Sequence, residues 1–381
     1  MSRDTIAQID LSALSHNLER VRELAPGSRV MAVVKADAYG HGLVRTARAL
    51  AATDMYAVAT LEEALALRRA GLAHPILLLE GFHRSYDLPL IQQHNLEVVV
   101  HNQHQLQALS DFPSLNLRRA WLKLDTGMHR LGFRCTEGAA VYRHLQALNG
   151  VHEVGLMTHF ACADEPQHPL NQAQLAAFDS AIAGLAGPQS LANSAALVNL
   201  PGARRDWVRS GIMLYGVSPN PGQQGSDLGL KPVMTLSSRL IAVHQLEAGE
   251  SVGYGAAYQC PQAMRIGIAA IGYGDGYPRH AANGAPVLIR GRKSALVGRV
   301  SMDMIAVDLR GIDEAVVGDR VVLWGEGLAV ESVARHADAI PYQLLCGITS
   351  RVTSETVSRA EADAALQSLP VNSYLRNNPR S

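Results

Sequence analysis

The side chains of this chain that could do chemistry stand at the ends of apolar runs. Lys35 lies in Val33-Val34-Lys35-Ala36-Asp37-Ala38-Tyr39-Gly40-His41-Gly42, directly after a continuously apolar stretch. Such a stretch reads as a strand buried on both faces. Burial disfavours an ammonium, so the Lys35 pKa is expected to fall toward the range where a neutral amine exists. A neutral amine is what a lysine needs to form a Schiff base with a carbonyl compound. The commoner arrangement for a strand-end lysine taken alone is a side chain that snorkels to solvent. Gly40 and Gly42 let backbone approach closely, and a helical pattern follows from about Leu43. Lys123, His159, Asn193 and Arg209 close four further runs of the same kind. A histidine so placed is often a satisfied core residue, and an arginine beside Asp206 could be half of a surface ion pair.

The elements that must position these residues are legible as a repeat. Short apolar runs at 30–35, 55–59, 76–79, 97–100, 120–124, 154–158, 190–193 and 207–209 alternate with helical patterns. Thr60 with Glu63, and Asn102 with Gln105, mark helix starts. Alternation of strand and helix predicts a parallel sheet, and eight strands predict closure into a (β/α)8 barrel of the TIM type. The five polar residues then share the C-terminal mouth, where barrel active sites are built. The last two loops read Asn193-Ser194-Ala195-Ala196 and Ser210-Gly211-Ile212. Small residues there expose backbone N–H groups and suit a phosphate.

After about residue 230 the helical periodicity fades. Runs at 236–243, 266–271, 287–289, 304–307 and 320–323, separated by Gly, Pro and Asp, predict a second, mostly β domain. The expected division is a barrel over 1–230 that holds the site, a β-rich domain over 231–368 and a mobile polar tail over 369–381. Gly272-Tyr273-Gly274-Asp275-Gly276 lacks a following helical pattern and reads as a turn, not a phosphate loop. The 381 residues suffice for two cored domains, and a formal net charge of zero argues against nucleic-acid or membrane-surface partners. Four cysteines without close pairing read as reduced thiols of a cytoplasmic protein, not as disulfides or a metal site. Leu11, Leu14, Leu18 and Val21 give an amphipathic helix in place of a signal core, and no apolar run reaches membrane-spanning length.

The Lys35 segment resembles the pyridoxal-phosphate attachment segment of alanine racemases. The resemblance continues in Lys123-Leu124-Asp125-Thr126-Gly127-Met128-His129-Arg130-Leu131-Gly132, in Asn193-Ser194-Ala195, and in Arg209-Ser210-Gly211-Ile212-Met213-Leu214-Tyr215-Gly216. It extends through Val252-Gly253-Tyr254-Gly255, Ile271-Gly272-Tyr273-Gly274-Asp275-Gly276-Tyr277 and Ser301-Met302-Asp303-Met304, so it spans about Ile9 to Val352. It implies a barrel plus a β domain, pyridoxal 5'-phosphate as cofactor, alanine as substrate, and a homodimer with shared active sites. Lys35 would carry the cofactor and act as base on one face of Cα, and Tyr254 of the other subunit as base on the opposite face. Tyr39, Ser194, Gly211, Ile212 and Tyr342 would contact the phosphate, with Asn193 and His159 in the same cofactor site. Arg209 would face the pyridine nitrogen and, with His159, support the tyrosine base. Arg130 would reach the phenolic oxygen and the substrate carboxylate, Met302 and Asp303 the substrate. Asp164, Tyr273, Arg279 and Tyr342 would line the entrance. Lys123 would be carbamylated to hold Arg130, the alternative being a lysine paired with Asp125.

The residue types fit that chemistry. A Cα–H is a very weak acid and needs an electron sink, and inversion needs bases on both faces. A free tyrosine, with a pKa near 10, needs nearby donors or positive charge to act as one. An arginine only donates, so it leaves a pyridine nitrogen unprotonated and restrains side reactions. Other readings are a decarboxylase or a wider-specificity or catabolic racemase on the same fold, and a non-catalytic carrier of the cofactor. The Tyr254 and Met302-Asp303 segments speak against the decarboxylase, and the long C-terminal half against the carrier. Supply of D-alanine for peptidoglycan is the expected role.

Overall fold

The computed structural model describes residues 4–357. Eight parallel strands, Arg29–Val33, Met55–Val58, Ile76–Leu78, Leu96–Val100, Ala120–Asp125, Val154–Met157, Gln189–Ser190 and Trp207–Ser210, pair in chain order. Trp207–Ser210 then pairs with Arg29–Val33, so the sheet closes into a barrel. Burial on both faces explains the continuous apolar runs: Val30, Met31, Ala32 and Val34 are fully buried. At the N-terminal strand ends, Trp121 and Trp207 meet edge to face at 6.3 Å. The buried Glu97 accepts from Trp121 Nε1 at 2.8 Å and pairs with Arg119 at 3.2 Å.

The second unit is built on antiparallel strands. Met264–Ala269, Ile305–Asp308, Arg292–Val297, Pro286–Ile289, Arg320–Trp324 and Met234–Leu246 follow one another in the sheet, and the last pairs back with the first. Met234–Leu246 runs for 13 residues and changes register between Leu240 and Ala242, so one bent strand serves both sides of the closed sheet. Ile6–Asp10 and Thr353–Val357 extend this sheet beside it. The chain therefore starts in the second sheet and enters the barrel through the helix Leu11–Leu24, capped by Asp10.

Several sequence expectations need adjustment. The run at 190–193 is a strand of two residues, Gln189–Ser190, because Asn193 must turn the chain to cap the helix Ser194–Asn199. Ile6–Asp10, Arg292–Val297 and Thr353–Val357 were not predicted as strands. Two helices, Val330–His336 and Pro341–Cys346, interrupt the β unit. Tyr273–Asp275 is a 3-10 turn whose buried Asp275 caps Gly272 N–H at 2.9 Å, in line with the turn reading. The tail expected at 369–381 lies outside the described residues. The four cysteines are free, and no helix among the described residues is long and apolar enough to cross a membrane.

Candidate active site

Lys35 is not the last residue of its strand. The strand ends at Val33, and Lys35 begins a turn in which Ala36, Asp37, Ala38 and Tyr39 have φ of 54, 50, 54 and 54°. Four consecutive left-handed L-residues cost about 1–2 kcal/mol each, so their surroundings must hold them. Ala36 N–H donates to Glu63 Oε1 at 2.7 Å, and Leu43 N–H to Asp37 Oδ1 at 2.7 Å. The other Glu63 oxygen closes the capping box of the helix Leu61–Arg69. His41 Nδ1 lies 3.0 Å from Ala38 O and 2.9 Å from Tyr39 O. Gly40 abuts the Leu345 carbonyl so closely that no Cβ fits, which fixes the helix Pro341–Cys346 against the turn.

The turn delivers the Tyr39 ring to the last two barrel loops. Tyr39 stacks on Tyr215 at 4.7 Å and meets Tyr342 at 5.9 Å. A Cβ placed on Gly211 would fall 2.6 Å from Tyr39 Oη, so glycine is needed there for space. Gly211 N–H donates to Ser194 Oγ at 3.0 Å. Ile212 opens a 3-10 turn, so its N–H has no acceptor within that turn. Tyr39 Oη makes no hydrogen bond among the described residues, and burial, with Tyr342 and Cys346 next, holds it protonated as a donor. Burial, and then Asp164, likewise pushes the Tyr342 hydroxyl up to about 12. The Tyr39 and Ser194 hydroxyls and the Ile212 N–H thus form a donor cradle of phosphate character.

Beside the cradle lies a cluster of cations. Arg209 is buried and has left Asp206, whose carboxylate caps Gln189 N–H instead. Its Nη1 donates to Ser190 O at 2.7 Å and Ser190 Oγ at 2.8 Å, and its Nη2 to Thr158 O at 2.7 Å and Leu191 O at 3.0 Å. Nη2 also lies 3.2 Å from His159 Nδ1. Burial alone brings the Arg209 pKa down to about 10, which leaves it a cation. Burial first, then Arg209, Lys123, Arg130 and Lys35, hold His159 well below the usual imidazole range. A neutral His159 that accepts at Nδ1 carries its proton on Nε2. Lys123 is brought down to about 8 by burial, then by Arg209, Arg130 and Lys35. Asp125 does not pair with Lys123: its carboxylate accepts from Gly127 N–H, His129 N–H and His129 Nδ1. Arg130 is exposed and shares a narrow cleft of about 10 Å³ with Lys123, Met128 and His159.

A second group of the expected residues sits on the β unit. Tyr254 occupies a turn between Gly253 and Gly255 and is 69% exposed, with the Arg299 guanidinium against Gly255. Met302 is 52% exposed, and its carbonyl accepts from Gly274 N–H at 2.9 Å. Asp303 pairs with Arg351, which also reaches Asp275 at 3.3 Å. Arg279 lies over the Tyr273 ring at 6.0 Å, while Asp164 belongs with Tyr342 on the barrel side. No hydrogen bond among the described residues joins Tyr254 or Met302 to Lys35, Arg130, His159 or Arg209. Asn193 serves its own helix, accepting Ala196 N–H at 2.9 Å. Sequence reasoning gave no role to Glu63, His41 or Ser190. Glu63 showed only as a capping residue, and Ser190 carried no signal at all.

Known proteins resemble this chain over both of its units. The family description "Alanine racemase, N-terminal domain" matches residues 9–219, and "Alanine racemase, C-terminal domain" matches 233–356. The alanine racemase of Nitrosococcus oceani is 54% identical over 350 residues, covering 91% of this chain and 97% of that protein. That of Shewanella denitrificans is 50% identical, with 91% and 97% covered. The crystal structure of the biosynthetic alanine racemase from Pseudomonas aeruginosa superposes with a TM-score of 0.91 at 45% identity, covering 94% of this chain and all of that one. The likeness extends over nearly the whole length of this chain and of those proteins. The chain belongs to the alanine racemase family of isomerases.

Proposed function

We propose that this enzyme interconverts L- and D-alanine with pyridoxal 5'-phosphate held on Lys35, as a homodimer in which each site takes Tyr254 from the second copy. The observation that carries the reading is Tyr39, four residues after Lys35, whose free hydroxyl lies against Gly211, itself bonded through its N–H to Ser194. That cradle fits a phosphate, and the lysine beside it fits an aldehyde. When bound, the cofactor supplies the electron sink that acidifies the substrate Cα–H.

The chain's own groups do the rest. Lys35 Nζ takes or returns a proton on one face, and Tyr254 of a second copy does so on the other. His159 Nε2–H is the donor that would steady that tyrosine's oxygen when it is anionic, and Arg209 fixes the imidazole through Nδ1. Arg209 accepts no proton, so it would hold the cofactor's pyridine nitrogen without protonating it and would restrain side reactions. Arg130 binds the substrate carboxylate, with the Met302 backbone and Asp303 closing that end. Lys123, surrounded by cations and without Asp125, is carbamylated, and its new anion holds Arg130. Asp164, Tyr273, Arg279 and Tyr342 line the entrance. The expected setting is the cytoplasm, with D-alanine supplied for peptidoglycan.

The test is polarimetry. L-alanine should lose its optical rotation with no keto acid and no carbon dioxide formed. Borohydride reduction should fix the cofactor on Lys35, and Lys35→Ala should abolish both signals while the fold survives. Label on Lys123 or Lys231, or release of carbon dioxide, would overturn the reading.

A further inference from the structure

We infer that His41 is a positioning residue that holds the left-handed turn and so sets the Lys35 amine and the Tyr39 hydroxyl in register for the cofactor. The inference rests on the cofactor reading above. His41 is fully buried, and its Nδ1 stands within 3.0 Å of Ala38 O and 2.9 Å of Tyr39 O. Carbonyls only accept, so Nδ1 carries the hydrogen. Nε2 is then a buried acceptor, and no donor reaches it. An apolar side chain would avoid that cost, so a need for the Nδ1–H explains why an imidazole sits there.

The same ring acts on both ends of the turn. It lies 4.6 Å from the Tyr215 ring, which stacks at 4.7 Å on Tyr39. Tyr215 Oη donates at 2.9 Å to the carbonyl of Val33, two residues before Lys35. His41 therefore holds two carbonyls of the turn directly, and through Tyr215 it aligns the phosphate-facing ring with the strand end. Glu63 Oε1 grips the opposite side of the turn at Ala36 N–H. Without the Nδ1–H, two carbonyls lose a donor and the turn is freed toward right-handed backbone. Tyr39 Oη would then leave Gly211, and Lys35 would lose its direction.

The experiment strips the holoenzyme of cofactor and titrates pyridoxal 5'-phosphate back into wild type, His41→Leu, His41→Asn and His41→Gln. Asparagine places an N–H near the position of Nδ1, and glutamine places one near Nε2. His41→Leu and His41→Gln should bind the cofactor about tenfold or more weakly, with His41→Asn recovering most of the affinity, since only asparagine restores the lost donor. Melting temperatures of the cofactor-free proteins should not follow the same order. Wild-type affinity in His41→Leu overturns the inference and leaves the cofactor reading intact. Should His41→Leu fail to fold, equal affinities in His41→Asn and His41→Gln overturn it instead. Failure of wild type to take up cofactor on Lys35 would strike the cofactor reading itself.

Discussion

Lys123 shows how a single residue's surroundings choose its chemistry. It is 9% exposed, and burial, followed by Arg209, Arg130 and Lys35, takes its pKa from 10.5 to about 8. A bare Lys123 makes the folded state release a proton that the unfolded state keeps until about pH 10.5. The unfolded state then binds more protons, so stability of the unmodified protein should rise as pH climbs between those two values. Carbamylation removes the cation and should flatten that rise. We expect 13C-labelled bicarbonate at pH 8 to give one carbamate resonance that Lys123→Ala lacks. Lys123→Ala should lose about tenfold or more in kcat/KM through a misplaced Arg130, with partial rescue by acetate. Absence of the resonance together with failure of every small carboxylate to rescue would show that Lys123 acts as a plain lysine. Lys35, Lys123, His159 and Arg209 stood out in the sequence as a set, because each falls near the end of an apolar strand and so shares one barrel mouth, although each alone has an ordinary structural use. His41 and Glu63 were not, because their partners are backbone carbonyls and an amide that exist only once the turn has formed.

At the scale of elements, the barrel keeps its chemistry at one end of the strands and its fixtures at the other. Most of its strands were legible because burial on both faces makes them nearly continuous apolar runs, with polar residues such as Glu97, Lys123 and Arg209 confined to positions near their ends. The β unit was harder: only alternate residues of Ile6–Asp10 are buried, and the first half of Arg292–Val297 is polar and exposed, so neither makes a continuous apolar run. The helix Pro341–Cys346 showed no periodicity in its six residues, yet it carries Tyr342 to the site. At the N-terminal strand ends, Arg119 pairs with Glu97 and Glu153 and lies over Trp121 at 5.2 Å. Burial holds the Glu97 carboxyl above its usual 4.5, with Arg119 and then Trp121 pulling it back. Arg119→Met would leave that buried carboxylate with only the exposed Arg118 guanidinium at 3.9 Å, so we expect a loss of about 3 kcal/mol. The Glu97 pKa should then rise further. The folded state would hold a proton that the unfolded state releases, and the variant's stability should fall as pH rises above about 4.5. Adding Glu97→Gln should recover part of the loss. Urea unfolding at several pH values reads all three, and a pH-independent loss below about 1 kcal/mol would remove Glu97 from the account.

For the whole molecule, the question is how the residues on the barrel and those on the β unit come together. The two units are tied tightly. Asn17 of the first helix donates to the Leu214 carbonyl and exchanges hydrogen bonds with the Lys231 backbone, and Glu331 accepts from Ser218 N–H at 3.0 Å and Gly225 N–H at 2.8 Å. Both contacts pin the connection between barrel and β unit. Yet Tyr254, Tyr273, Met302 and Met304 remain 69, 40, 52 and 43% exposed. Large apolar and aromatic side chains left exposed together suit a surface that a second copy covers. Nothing in the composition announced this; the dimer entered the sequence reading through the resemblance alone, because a shared site is a property of two chains. If each site takes Lys35 from one copy and Tyr254 from the other, two inactive variants should repair each other. A Lys35→Ala dimer lacks the lysine at both sites, and a Tyr254→Phe dimer lacks the phenol at both. In a mixed dimer both lesions fall in one site, and the other is whole. Mild unfolding and joint refolding of equal amounts should therefore restore about a quarter of wild-type racemisation, because about half of randomly formed dimers are mixed and each keeps one intact site. A Lys35→Ala, Tyr254→Phe double variant mixed with wild type gives the control, since its mixed dimers hold one lesion in each site. Sites completed within one copy would predict no recovery at any mixing ratio, and that result would end the shared-site reading.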